Sequence, residues 1–282
     1  MDPLRDLLHY FPQALVGGLL IAVTCSVLGV FVILKRVVFI GIVLSEVAAL
    51  GVAAALAFNF QPFIGASILT IACVLILALP LNSDRIPRDA LLGILFVAAS
   101  SLSILLVARS GFGLEEVKNL LYGDIIFTTG TDLWIILGVM LPVLGFLMMF
   151  IRPIFYTFLD PDGARVLGIW TRMWELLFFF ALGLCVAAAS KTAGALLVFC
   201  FLVVAPSGGL VLGRKLSAVT IISVTVAATS TLAGMLIAVA KDTPTNQSIA
   251  VVACMGFVLC FVIAIIRKTL FVMRSHQNQV RS

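Results

Sequence analysis

The sequence predicts an all-α polytopic membrane protein: a bundle of eight or nine transmembrane helices, with one short helix held between two of them on the cytoplasmic side. Three observations predict it. Of 282 residues, 62% are hydrophobic and 11% charged, with a mean hydropathy of +1.24, whereas soluble domains carry charge on roughly a quarter of their residues. Apolar runs of the length that a helix needs to cross hydrocarbon, about twenty residues, fill most of the chain. The basic residues between those runs fall mostly on alternate breaks. A single transmembrane domain over residues 1–282 is therefore expected, and any nucleotide-hydrolysing or catalytic domain belongs to another chain.

Taken in order, the first run, Gln13 to Leu34, is too long for a signal-peptide core and has no clear small-residue cleavage site, so it counts as a span. Phe39 to Phe58 follows a basic turn and carries Glu46 near its middle. Phe63 to Leu81 and Ala90 to Ala108 flank a break containing Arg85 and Arg88. The segment Ser110 to Asp132 includes "LEEVKNLLYGD", a short amphipathic pattern suited to lying on a membrane surface or capping a pore. Leu133 to Ile151 is the fifth run. After it, "TFLDPDGARVLGIWTR" (157–172) reads as a short capped helix, with Asp160 as N-cap, Pro161 at the first helical position and Gly168 at the end. Met173 to Ala189 and Ala193 to Leu212 are parted only by Ser190, Lys191 and Thr192, which leaves the count at eight or nine. Ala218 to Ala240 and Ile249 to Ile266 complete the set.

Orientation follows from Lys and Arg, which collect in short cytoplasmic loops. With the N-terminus outside, nine spans put thirteen of the eighteen bases in the cytoplasm, leaving Arg5, Arg109, Lys118, Lys191 and Lys241 outside. The net charge of +5 is thus a topology signal, and nucleic acid is not an expected partner. Membrane lipid is.

All six cysteines lie inside apolar runs without a C-x-x-C pair and read as small core residues. Gly41, Ser45, Ala49 and Ala53 recur at intervals that let helices approach closely. Glu46 is different. It lies about eight residues, or roughly 12 Å, into its helix, where an acid costs free energy and characteristically faces a bundle interior or wet cavity along an ion or substrate route. The bland alternative is a hydrogen-bonded tie to a neighbour such as Thr24, Ser26 or Ser100. The only histidines, His9 and His276, are near the termini, and no H-E-x-x-H, G-x-S-x-G or P-loop is present, so zinc-hydrolase, serine-hydrolase and NTPase readings fall away.

Five stretches in order resemble the permease subunits of metal-ion ABC importers for zinc, manganese or iron. "KRVVFIGIVLSEVAALGVA" is similar to the family's first basic loop and following helix at Arg36, Gly41 and Gly51. "LLYGDIIFTTGTDL" is similar at Gly123 and Asp124, and "LDPDGARVLGI" at Asp160, Ala164 and Gly168. "GALLVFCFLVVAPSGG" and "KDTPTNQS" are similar at Pro206, Asp242 and Pro244. The family's aspartate and histidine, one turn apart, correspond here to Ile42 and Glu46, and Asn246 stands where a glycine is usual.

The resemblance implies a permease of the bacterial cytoplasmic (inner) membrane with no permanently bound cofactor. It carries a divalent metal ion and works with ATP bound on a partner ATPase. It implies a second permease copy or paralogue and an extracytoplasmic metal-binding protein. It places Glu46 and Ser45 on the metal pathway, Asp124, Asp242 and Asn246 at an outer gate, and Asp160, Ala164, Arg165 and Gly168 on a cytoplasmic coupling helix. The permease is not itself expected to be an enzyme. Two other classes stay open: a secondary cation transporter using Glu46 as its proton or cation site, and a membrane scaffold that transports nothing.

Overall fold

The computed structural model describes residues 11–78, 88–109 and 123–280. The expected amphipathic stretch of the 110–132 loop falls mostly outside them. Among the described residues the chain is helical without strands: α1 (Pro12–Leu34), α2 (Val38–Ala57), α3 (Pro62–Ala78), α4 (Arg88–Arg109), α5 (Gly130–Met149), α6 (Ile151–Leu159), α7 (Pro161–Val166), α8 (Thr171–Leu212), α9 (Leu216–Lys241) and α10 (Thr245–Val280), with a 3₁₀ turn at Ile125–Phe127. Seven of these helices are long and apolar enough to cross a membrane, and Pro62–Leu77 is a shorter apolar helix.

The longest helix is not one rod. Gly194 sits inside α8 with φ 66° and ψ 163°, outside helical geometry. If α8 were straight, Phe178 and Leu202 would be roughly 36 Å apart at 1.5 Å per residue. Both meet the same two turns of α1. The Phe31 and Phe178 rings stack edge-on with centroids 6.0 Å apart, and Gly29 lies so close to the Leu202 carbonyl that a Cβ would overlap it. The chain therefore runs up one arm, reverses around Gly194 and returns beside α1. Counting the two arms separately gives nine long helical segments among the described residues. The reversal needs no loop because a glycine supplies the left-handed φ that other residues rarely adopt.

α8 and α1 form the centre of the bundle, with α2, α9 and α10 packed on α8 and α3 and α4 packed on α2. Small residues make this close packing achievable. At the α2–α3 crossing a Cβ on Gly51 would stand 2.5 Å from Ala66 Cα, so the two backbones touch there. The core is built from Ile21, Cys25, Leu28, Leu44, Phe178, Leu182, Cys185, Leu197 and Phe201, all fully buried. Outward faces carry Ile94, Val97, Leu105, Trp134, Met149, Met255 and Leu259 exposed, the inverse of a soluble protein and the pattern of a lipid-facing surface.

Two differences from the sequence reading concern helix ends. The fifth run does not stop at Ile151: after a break at Phe150 (φ −109°, ψ 23°) the chain turns into α6, which reaches Leu159. The last helix continues well beyond Ile266, to Val280, because no glycine or proline interrupts the polar tail.

Candidate functional site

Glu46 is the ninth residue of α2, on a helix wedged between α3, α4 and α8. The Ser100 side chain of α4 lies beside its carboxylate. One carboxylate oxygen, Oε2, is buried with no hydrogen-bond partner. Of the three hydroxyls considered as neighbours, Ser100 is the one beside it, while Ser26 donates to the Val23 carbonyl at 2.9 Å. Ile42, one turn earlier, packs half-buried against the core and offers only carbon. Ser45 is fully buried and donates to the Gly41 carbonyl at 3.0 Å, a bond within its own helix. The pair that the fold assembles is thus Glu46 with Ser100, two oxygen-bearing side chains on neighbouring helices. Oxygen donors suit hard or borderline cations, and a single carboxylate holds a divalent ion without trapping it. No three His, Cys, Asp or Glu side chains converge among the described residues.

The end of the bundle away from the basic loops gathers two of the three outer-gate candidates. Asp124 caps the 3₁₀ turn by accepting from the Ile126 amide at 3.2 Å. Asn246, almost fully buried, accepts from the Ile125 amide at 3.2 Å and donates to the Ala193 carbonyl at 2.9 Å, so it pins the 123–128 loop to the α8 reversal. A side-chain amide can do both jobs at once where glycine can do neither. Gly123 (φ 58°) is pressed against the same reversal, since a Cβ there would fall 2.6 Å from the Gly194 nitrogen. Asp242 is exposed in left-handed conformation (φ 54°) at the C-cap of α9, near this knot in sequence but apart from the hydrogen bonds that close it.

Beside the knot stands an ion pair that the sequence reading did not single out. Lys191 Nζ donates to Asp132 Oδ1 at 2.7 Å, and Thr129 Oγ1 donates to Asp132 Oδ2 at 2.6 Å. Thr129 and Asp132 also form a capping box at the start of α5. The signal was present in "TGTD", a Thr-x-x-Asp box followed by an apolar run. Its partner Lys191 lies 59 residues downstream, which no local pattern reveals.

At the basic end, α7 has the expected caps. Asp160 accepts from the Gly163 amide at 2.9 Å, and Pro161 opens the helix. At its C-terminus the Ile169 amide donates to the Ala164 carbonyl at 2.9 Å and the Gly168 amide to the Arg165 carbonyl at 3.0 Å. With Gly168 at φ 77°, this is a Schellman motif. The four coupling candidates divide. Asp160 and Gly168 shape the helix, Arg165 is exposed and pairs with Asp162, and Ala164 is buried against the bundle. Ala164→Arg would therefore unseat α7 rather than roughen its outer face. The surface at its C-terminal end is apolar: Val166, with Leu167 and Trp170 just beyond the helix, are 88%, 69% and 77% exposed. Gly168, Trp170 and Met173 line an adjoining groove together with Arg165 and Arg172.

Comparison with known proteins agrees with this architecture. A family described as the ABC 3 transport family matches residues 8–265. The chain is 31% identical over 253 residues to the manganese transport system membrane protein MntC of Halalkalibacterium halodurans, covering 89% of this chain and 86% of that protein. It is 26% identical to the high-affinity zinc uptake system membrane protein ZnuB of Haemophilus influenzae, covering 88% and 95%. In three dimensions it is similar to a chain of PsaBC from Streptococcus pneumoniae in complex with Fab, with a TM-score of 0.84 at 22% identity over 92% of this chain and 94% of that one.

Proposed function

The chain belongs to the ABC 3 transport family, and from that premise we propose that it is the permease subunit of an ATP-binding-cassette importer that moves a divalent transition-metal ion, zinc, manganese or iron, into the cytoplasm. Two permease chains form the pathway in the bacterial cytoplasmic membrane. A cytoplasmic ATPase docks on residues 157–172, and an extracytoplasmic metal-binding protein delivers the ion at the knot end. The permease hydrolyses nothing itself.

The observation that carries this reading is Glu46: a carboxylate about 12 Å into an apolar helix, beside Ser100, with its Oε2 buried without a partner. An acid held in that way has capacity left for a cation, and its negative charge offsets part of the hydration that a divalent ion sheds. The exposed apolar surface at the end of α7 supports the second half of the proposal. Val166, Leu167 and Trp170 lie at the basic end, outside the apolar length of any span, where a water-exposed patch of that kind marks a protein contact.

The test is uptake by the assembled complex in proteoliposomes, with zinc, manganese and iron offered in turn. Uptake that needs both the ATPase partner and ATP supports the importer. Uptake driven by a proton gradient without the ATPase makes the chain a secondary cation transporter, the reading that the Glu46–Ser100 pair alone would equally suit.

A further inference from the structure

We propose that Lys35 is a positioning residue that links the ATPase-docking segment to the helix carrying Glu46; the inference rests on the importer reading. Lys35 occupies the tight turn between α1 and α2. That turn is closed by the Lys35 amide donating to the Phe31 carbonyl at 3.0 Å and the Val37 amide to the Val32 carbonyl at 3.1 Å, with Arg36 held at φ 60°. The turn has little freedom of its own. From it, the Lys35 ammonium forms an ion pair with Glu175 near the start of α8. It also lies 4.6 Å from the centre of the Phe158 ring and 5.6 Å from that of Phe179. Its side chain is 19% exposed, so the cation–π contacts are largely desolvated and correspondingly stronger than at an open surface.

Phe158 is what gives the contact its meaning. It is the penultimate residue of α6, two before the Asp160 cap of α7. Its ring packs edge-on against Phe178 with centroids 4.9 Å apart and against Phe31 at 6.4 Å. One ammonium group therefore touches the base of the docking segment, the first turns of α8 and the turn that starts α2. Glu46 follows Lys35 by eleven residues, nine of them along a continuous helix. When the ATPase displaces α7, Phe158 moves with it. A cation gripped by Phe158 and Glu175 then pulls the α1–α2 turn along, and α2, a rigid rod, carries that displacement to Glu46. No other described ion pair joins these three elements.

A purely structural role makes a different forecast. An apolar side chain of similar length fills the space between the rings, and the Glu175 carboxylate left behind is about a third exposed, so water compensates part of the lost pairing. Lys35→Met is accordingly a fair probe, because it keeps the stem against Phe158 and Phe179 and removes only the charge.

The experiment measures metal ions transported per ATP hydrolysed, in proteoliposomes of the complete complex at matched protein levels, for wild type, Lys35→Met, Glu175→Gln, Lys35→Arg and the exchange Lys35→Glu with Glu175→Lys. The expected result is a drop of about tenfold in that ratio for Lys35→Met, equivalent to about 1.4 kcal/mol of lost coupling, with ATPase binding retained. Glu175→Gln should fall in the same direction, Lys35→Arg should stay near wild type, and the exchange, which restores the ion pair but sets a carboxylate against the Phe158 and Phe179 rings, should stay low. An unchanged ratio in Lys35→Met and Glu175→Gln, or an exchange restored to the wild-type ratio, overturns the link while leaving the importer reading intact. A wild-type complex without ATP-dependent transport overturns both.

Discussion

The two ends of the bundle are built on opposite principles. At the knot end, polar groups find partners inside the chain. Asp132 is closed by Lys191 and Thr129, Asn246 spans two backbone groups, and Asp124 caps its own turn. At the basic end, the structure is pinned internally by Lys35, Glu175 and a cluster of phenylalanines, yet it presents Val166, Leu167 and Trp170 to water. Exposed apolar side chains occur at both ends, Phe127 in the 3₁₀ turn being 77% exposed, so what sets the knot end apart is the internal closure of its polar groups.

The largest effect should come from breaking the knot end. Gly123→Val places a branched side chain at φ 58° and its Cβ against backbone atoms of Thr192 and Gly194, which cannot move aside. A loss of about 3 kcal/mol is expected, seen as a clear fall in the thermal midpoint of the detergent-solubilised protein. Asp132→Ala comes next. It leaves Lys191 without its carboxylate, but the lysine side chain is 40% exposed and water compensates part of the loss, so about 1–2 kcal/mol is expected rather than the full cost of a buried orphan charge. A thermal midpoint unchanged by Asp132→Ala would mean that the knot is held by Asn246 and Gly123 alone.

Leu167→Ser sharpens the contrast from the other side. Because Leu167 is mostly exposed, stability should stay within about 0.5 kcal/mol, while co-purification of the ATPase and transport both fall. Normal ATPase binding would reduce the apolar surface at the end of α7 to a bystander. The smallest perturbation only identifies the compartments. A reporter fused after Ser282 should be cytoplasmic and one inserted near Lys118 external, because the bases favour that arrangement; a cytoplasmic Lys118 reporter would reverse the assignment of the ends.

Much of this architecture is readable from local pattern. The apolar runs, the Asp160–Pro161 start of α7 and its Gly168 stop each depend on a few neighbouring residues, and the described helices follow them. The reversal at Gly194 is harder, because "SKT" is too short to distinguish a loop from a polar point in one long helix; only the two contacts on α1 show that the chain turns back. Long-range pairs are harder still. Lys35 with Glu175, Lys191 with Asp132, and Asn246 with both Ile125 and Ala193 join residues tens to more than a hundred positions apart, and nothing local to any of them specifies the other. For Glu46, depth in the helix was legible and the identity of its partner was one of three options; Ser100 emerges only once α4 is packed beside α2.

The central claim is that Glu46 carries the ion, and Glu46→Gln tests it most directly. Gln preserves size and hydrogen-bonding capacity toward Ser100 while removing the charge that compensates a dehydrated divalent cation. In proteoliposomes of the complete complex at matched protein levels, ATP-dependent uptake of zinc, manganese and iron should fall on the order of tenfold or more for whichever metal the wild type carries, with assembly and thermal midpoint preserved. Wild-type uptake of every metal by Glu46→Gln would contradict the account and leave Glu46 as a tie between α2 and α4.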